Sequence, residues 1–328
     1  MIHRVDLVST ALVDRLAAIV GAAQISVDPD VLAARSVDWT GRYLGHATAL
    51  VRPGTADAVA AVLRTCRDAG AYVTVQGGRT SLVAGTVPEH NDVLLSTERL
   101  IDIDDVDTSR QRVRAGAGVT LAALQRAADA VRLLVGVDLA ARDSATVGGM
   151  VSTNAGGLRT VRYGTMGDQV LGLEIALPDG SVVHGEASLF VGAEGTLGVI
   201  TAVDVRLHPV PDHRVTALCG FANLESLVAA GRIFREIETI AALELIDGRA
   251  AALAAEHLGL PNPVAGEWLL LIELAADTDP TSRLADALDG IGVCAEPAVG
   301  VDTVAQHRLW QVRESVAEVV GLFGPPVK

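Results

Sequence analysis

Residues 143–157 read DSATVGGMVSTNAGG, four glycines set among neutral hydroxyl and amide side chains. Glycine carries no Cβ, so main-chain N–H groups can come close to a bulky anion, and consecutive N–H groups form an anion-binding nest. Ser, Thr and Asn add donors without charge. Two further stretches share this character. VTVQGGRTSLVAGTVP (73–88) lies upstream and FVGAEGTLGVIT (190–201) downstream. Any one of them alone reads as an ordinary turn in a chain with 33 glycines. None has the GxGxxG spacing of a nicotinamide-binding unit.

Around these loops the pattern alternates. Helical spacing covers 5–21. A strand at 51–54 leads to a helix at 55–69 with Thr55 as its N-cap, and strands follow at 72–76, 93–96 and 111–115. A helix at 120–130 precedes the long Gly, Ala and Ser segment 136–167, and strands return at 170–177, 182–184 and 199–207. The proline-marked HPVPDH (208–213) predicts a boundary. Beyond it come a strand, helices at 224–237 and 250–258, a strand at 268–275 and helices at 280–288 and 304–320.

The 328 residues suffice for two buried cores. A formal charge of −14 excludes a nucleic-acid surface, which needs clustered Lys and Arg. No apolar run is long enough to span a membrane, and Asp6, Asp14 and Arg15 break any export signal. Cys66, Cys219 and Cys294 are odd in number and far apart, which suits reduced thiols. These features predict a cytoplasmic protein. None of the eight histidines has metal-ligand spacing.

The order GG-x-T-S (77–81), DSATVGGMVSTNAGG (143–157) and GAEGTLGVIT (192–201) resembles the vanillyl-alcohol-oxidase-like flavoproteins with a PCMH-type FAD-binding domain. Within them it is most similar to the D-2-hydroxyglutarate, D-lactate and glycolate dehydrogenases, from Asp38-Trp39-Thr40 through Lys328. The resemblance implies an α+β fold. A helical segment (1–37) would precede a two-subdomain FAD-binding domain (38–212) and an α+β cap, or substrate, domain (213–328). It implies non-covalent FAD, because Arg79 and Thr80 stand where covalent relatives often place a histidine. Gly77, Gly78, Arg79, Thr80 and Ser81 would hold the pyrophosphate. Ser144, Gly148, Gly149, Thr153, Asn154, Gly156 and Gly157 would follow the ribityl chain and flavin ring, and Gly195 and Ile200 would lie at the adenosine end or ring edge. Three positions depart from the family's glycines: Ala84, Ala140 and Asp143, the last a carboxylate that would repel a pyrophosphate unless turned to solvent.

The implied reaction is oxidation of a D-2-hydroxy acid to a 2-oxo acid, most like D-2-hydroxyglutarate dehydrogenase. Electrons would pass to an electron-transferring flavoprotein or a quinone, and a homodimer is compatible. Arg313 and Lys328 match the substrate's carboxylate clamp. From spacing alone Arg313 is a solvated helix residue paired with Glu314 or Glu318. Ala317 stands where the D-2-hydroxyglutarate enzymes have threonine, which points toward D-lactate or glycolate. The family's divalent metal, such as zinc, its ligands and the catalytic base are expected beyond Lys328. Catalytic residues within 1–328 are therefore unassigned, and the chain reads as part of a longer protein. A segment with a tyrosine that the family carries after the 182–184 strand is also missing here. The alternative of another class is a non-catalytic FAD-binding subunit of a larger complex.

Overall fold

The computed structural model describes residues 10–185, 188–260 and 264–322. Lys328 and the side chain of Ala317 lie outside the described residues. The chain forms two compact units: 1–156 with 165–209, and 157–164 with 210–327.

The first unit begins with helices α1 (Thr10–Val20) and α2 (Pro29–Arg35). Its first sheet runs β1-β2-β4-β3, from β1 (Ile25–Ser26), β2 (Ala47–Val51), β3 (Val73–Gln76) and β4 (Asp92–Ser96). β2 and β3 each pair parallel with β4, and β1 pairs antiparallel with β2. Every residue of β4 is buried, as expected of a strand covered on both faces. Helix α3 (Ala56–Asp68) makes the crossover from β2 to β3. The Thr55 hydroxyl caps it by accepting the Ala58 N–H at 3.2 Å. Its apolar face, with Val59, Val62, Leu63 and Cys66, joins Val51, Val93 and Leu95 in one core.

The second sheet runs β5-β9-β7-β8, from β5 (Arg112–Gly116), β7 (Val170–Ala176), β8 (Val182–Gly185) and β9 (Val199–Pro209). All its pairs are antiparallel, and β6 (Leu133–Val135) adds to β9. Helix α4 (Leu121–Asp129) is capped by Thr120, and buries Leu121 and Leu124 in the same core. The glycine-rich stretch 136–167, read from sequence as one loop, contains three short helices: α5 (Val147–Ser152), α6 (Thr160–Tyr163) and α7 (Met166–Gln169).

The second unit is an antiparallel sheet in the order β11-β12-β10-β13. Its strands are β10 (His213–Phe221), β11 (Ile240–Asp247), β12 (Trp268–Ala276) and β13 (Ala298–Gly300). One face carries Val215, Ala217, Phe221, Leu270, Ile272 and Leu274. It packs under Leu227 and Phe234 of α8 (Leu224–Arg235) and Leu284 of α10 (Thr281–Leu288). The opposite face carries Leu218, Ala242, Ile246, Leu269 and Leu271. It packs with Ala251 of α9 (Gly248–His257) and Leu309, Trp310 and Val312 of α11 (Thr303–Leu322). The sequence reading contains no strand at β11. Ala241, Ala242, Leu243 and Glu244 are helix formers, and pairing with β12 overrides that preference.

Candidate FAD-binding site

The three glycine stretches converge in the first unit. The first loop leaves β3 at Gln76, which is fully buried. The Gln76 amide donates to the carbonyls of Arg35 and Thr86, both at 2.8 Å, and so pins both ends of the loop against the end of α2. Arg79 sits at φ 55° and donates to the Ala34 carbonyl at 2.9 Å. Burial, and then the nearby Arg35 charge, lower its pKa, while Glu98 opposes them. Among the described residues, the main-chain N–H groups of Gly78, Arg79, Thr80 and Ser81 find no protein acceptor. Four successive unpaired donors make an anion nest.

The second loop is stitched to segment 117–121 through Gly148 N–H to Ala117 O, Val147 N–H to Val119 O and Leu121 N–H to Ala145 O. The Thr146 hydroxyl caps α5 by accepting the Gly149 N–H at 3.4 Å. The third loop hangs on the end of α5, where the N–H groups of Gly192 and Glu194 donate to the carbonyls of Val151 and Ser152. The Asn154 side chain accepts the Gly167 N–H at 2.9 Å, which fixes α7 to the second loop.

Between the loops lies a cavity of about 470 Å³, within the usual size of cofactor sites. It is lined by Gly77, Gly78, Arg79, Thr80, Ser81, Gly149, Thr153, Asn154 and Gly156. A second, adjoining cavity shares Gly77, Ser81, Gly149 and Thr153, and extends past Gly148 and Gly195 to Ile200. Twelve of the fourteen residues singled out in the sequence therefore line one continuous cleft. Ser144 and Gly157 do not. Ser144 is exposed and turns its carbonyl toward Gly78, and the Gly157 N–H donates to the Thr160 hydroxyl at 2.7 Å. Asp143 is exposed and off both walls, so it does not oppose an anion there.

The glycines serve two different needs. A Cβ on Gly78 would land on the Ser144 carbonyl, one on Gly77 on the Thr146 hydroxyl, and one on Gly148 on Ala117. Those three glycines let the loops pack on one another. At Gly149 the only crowding is a Thr146 hydroxyl at 3.0 Å, and Gly149 lines both cavities. There a larger side chain would enter the cleft. Arg79, Ala84, Asn154 and Glu194 all take positive φ, and they are four of seven such non-glycine residues among those described. Strain concentrated at loops around a cleft is a mark of a functional site.

Sequence reasoning did not single out Gln76, Thr146 or Glu194. Gln76 and Thr146 act through bonds that only the fold brings together. Glu194 and Arg79 are the charged side chains on the cleft walls.

In the second unit Arg313 donates Nε and Nη2 to Oε2 of Glu244, at 2.8 and 2.6 Å. Its partner is thus a strand residue 69 positions away, and not Glu314 or Glu318 on its own helix. No group of three or more metal-ligating side chains occurs among the described residues, nor any helix long and apolar enough to cross a membrane.

Comparison with known proteins agrees with this geometry. The FAD binding domain family matches residues 47–186, and the C-terminal domain of FAD linked oxidases matches 210–326. A D-2-hydroxyglutarate dehydrogenase, mitochondrial, of Danio rerio is 33% identical over 89% of this chain and 59% of its own length. That of Bos taurus is 32% identical over 95% of the chain and 61% of its own. The chain thus spans about three-fifths of the curated relatives it matches. Among solved structures, p-cresol methylhydroxylase superposes with a TM-score of 0.78 at 15% identity, over 96% of this chain and 71% of its own. For 4-ethylphenol oxidase from Gulosibacter chungangensis the TM-score is 0.76 at 16% identity, over 97% and 73%. The loops, the cleft they enclose and both domain matches place the chain among the FAD-linked oxidases with a PCMH-type FAD-binding domain.

Proposed function

We propose that this chain takes part in FAD-dependent oxidation of a D-2-hydroxy acid to a 2-oxo acid, of the kind named for its D-2-hydroxyglutarate dehydrogenase relatives. The observation that carries the reading is the unpaired N–H run 78–81 on the wall of a 470 Å³ cleft. These residues would hold the pyrophosphate, and the Gly148–Gly156 wall, with the Thr153 hydroxyl, would run beside the remainder of the cofactor. FAD, when bound, supplies the acceptor for the hydride leaving C2 of the acid. The chain's part is to hold and orient. Arg313, charged and planar, would meet a substrate carboxylate. The unpaired cysteines fit a reducing compartment, the cytoplasm or the mitochondrion named for the relatives.

The test is direct. Purified protein should be yellow, denaturation should release free FAD, and an artificial electron acceptor should be reduced with D-2-hydroxyglutarate but not its L-enantiomer. Preference for D-lactate or glycolate would move the substrate to the monocarboxylic acids that Ala317 favours. A colourless protein that ignores added FAD would overturn the reading.

A further inference from the structure

Strand register gathers four arginines at one end of the α11 face of the second unit. Arg214 stands opposite Ala275 and Thr216 opposite Glu273, so Arg214, Thr216 and Glu273 share that face. On the other side of β12, Ala242 stands opposite Glu273, and Glu244 follows two residues along on the same face.

Two of the four arginines have carboxylate partners. Glu273, 1% exposed, accepts Arg159 Nε at 2.8 Å and the Trp310 indole N–H at 3.0 Å. Glu244 accepts Arg313. Arg162 spends Nη1 on the Ala275 carbonyl at 2.6 Å and has no ion pair among the described residues. The half-buried Arg214 guanidinium has neither hydrogen bond nor ion pair among them. The hydroxyl of Thr216, fully buried beside it, is also without a partner.

Two positive charges thus remain uncompensated in a protein of net charge −14. Burial, and after it the charge of Arg159, weakens proton binding at Arg214, with Glu273 opposing. An unpaired, half-buried guanidinium beside like charges is costly, and an anion would relieve the cost. Planar guanidinium forks match carboxylate oxygens two by two.

We propose that Arg214, with Arg162 beside it, receives a carboxylate of a short dicarboxylic acid, and so selects dicarboxylic over monocarboxylic 2-hydroxy acids. This deepens the proposed oxidation and rests on it. The pair supplies an anion contact that does not depend on a hydroxyl at position 317.

The experiment titrates the FAD-loaded full chain with glutarate, which lacks the oxidisable hydroxyl, and follows tryptophan fluorescence and calorimetric heat. Saturable binding is expected. It should weaken at least tenfold in Arg214→Gln, recover in part in Arg214→Lys, and weaken severalfold in Arg162→Gln, with FAD content unchanged. Propionate should bind more weakly and be indifferent to position 214. No saturable glutarate binding, or equal binding in Arg214→Gln, overturns the site, as does inorganic phosphate binding more tightly through the same arginines. If Arg214→Gln fails to fold, unchanged glutarate affinity in Arg162→Gln overturns the site equally. Arg214-dependent glutarate binding without turnover of any D-2-hydroxy acid would remove the proposed reaction and keep the site. Turnover with an unchanged KM for D-2-hydroxyglutarate in Arg214→Gln would do the reverse.

Discussion

Arg313 and Glu244 meet through a single oxygen: Nε and Nη2 of the arginine both donate to Oε2, at 2.8 and 2.6 Å, from a helix to a strand. The other Glu244 oxygen takes no part in the pair. Arg313→Ala should therefore lower stability by about 1–2 kcal/mol, the scale of a partly exposed charged hydrogen bond. If the guanidinium also meets substrate, kcat/KM for the preferred acid should fall by roughly one to two decades at constant FAD content. Glu244→Gln frees the guanidinium from its charge partner, and should cost stability without raising KM. Thermal unfolding and steady-state kinetics on both variants check this. A loss of stability in Arg313→Ala with kcat/KM intact would make the pair purely structural.

The two classes of glycine predict different failures. Gly149→Leu pushes a side chain into the cleft, so folded protein should emerge with FAD occupancy reduced tenfold or more. Gly78→Ala drives a methyl into the Ser144 carbonyl, and should damage the loop packing itself, with lower thermal stability even in the absence of FAD. Flavin absorbance per folded chain, set beside circular-dichroism melting, separates them. Equal flavin content in Gly149→Leu and the parent would remove this wall from the cofactor site.

Ala84 holds φ 60°, a left-handed conformation that costs an alanine about 1–2 kcal/mol. Glycine removes that strain and gives back roughly 0.5–1 kcal/mol through greater freedom of the unfolded chain. Ala84→Gly should thus stabilise by about 0.5–1 kcal/mol, raising Tm by roughly 1–4 °C. A lower Tm would show that the strain is absorbed elsewhere in the loop.

The thiols give a prediction in pH. Burial pushes Cys66 up to about 11 and Cys219 up to about 12. A raised pKa means the fold favours the protonated thiol, so this stability is complete below the ordinary thiol range. It is lost as pH rises toward 11–12, because the unfolded chain ionises first. Urea midpoints should fall between pH 8.5 and 11, and Cys219→Ala should flatten part of that slope. The sequence contains one lysine, so few amines titrate in the same window. In native protein a thiol reagent should modify the exposed Cys294 quickly and the two buried cysteines only after unfolding.

Local chemistry was legible in the sequence where it is short-range. Thr55 and Thr120 announce their helices because a cap needs only the next three residues. The glycine stretches revealed a cofactor cleft because the loops supply main-chain donors in consecutive runs. What the sequence hid depends on distance. Gln76 looks like the polar end of a strand, yet its amide closes a ten-residue loop onto α2. Strand β11 is written in helix formers, and only its neighbour β12 makes it a strand. Arg159 and Glu273 are 114 positions apart, and no pattern of period two or 3.6 can connect them.

Residues 157–164 belong to the second unit, although the chain on either side of them belongs to the first. The two bodies are therefore interleaved along the gene. Cutting the chain once, at 209, yields no self-sufficient half. The downstream piece would carry Glu273 buried in its sheet with Arg159 left behind on the other fragment, an unpaired interior carboxylate that opposes folding. Neither half can be exchanged with a homologue at a single crossover. Recombination that succeeds must move 157–164 together with everything after 210, so this eight-residue strip ties the inheritance of the FAD-binding part to that of the part beyond it.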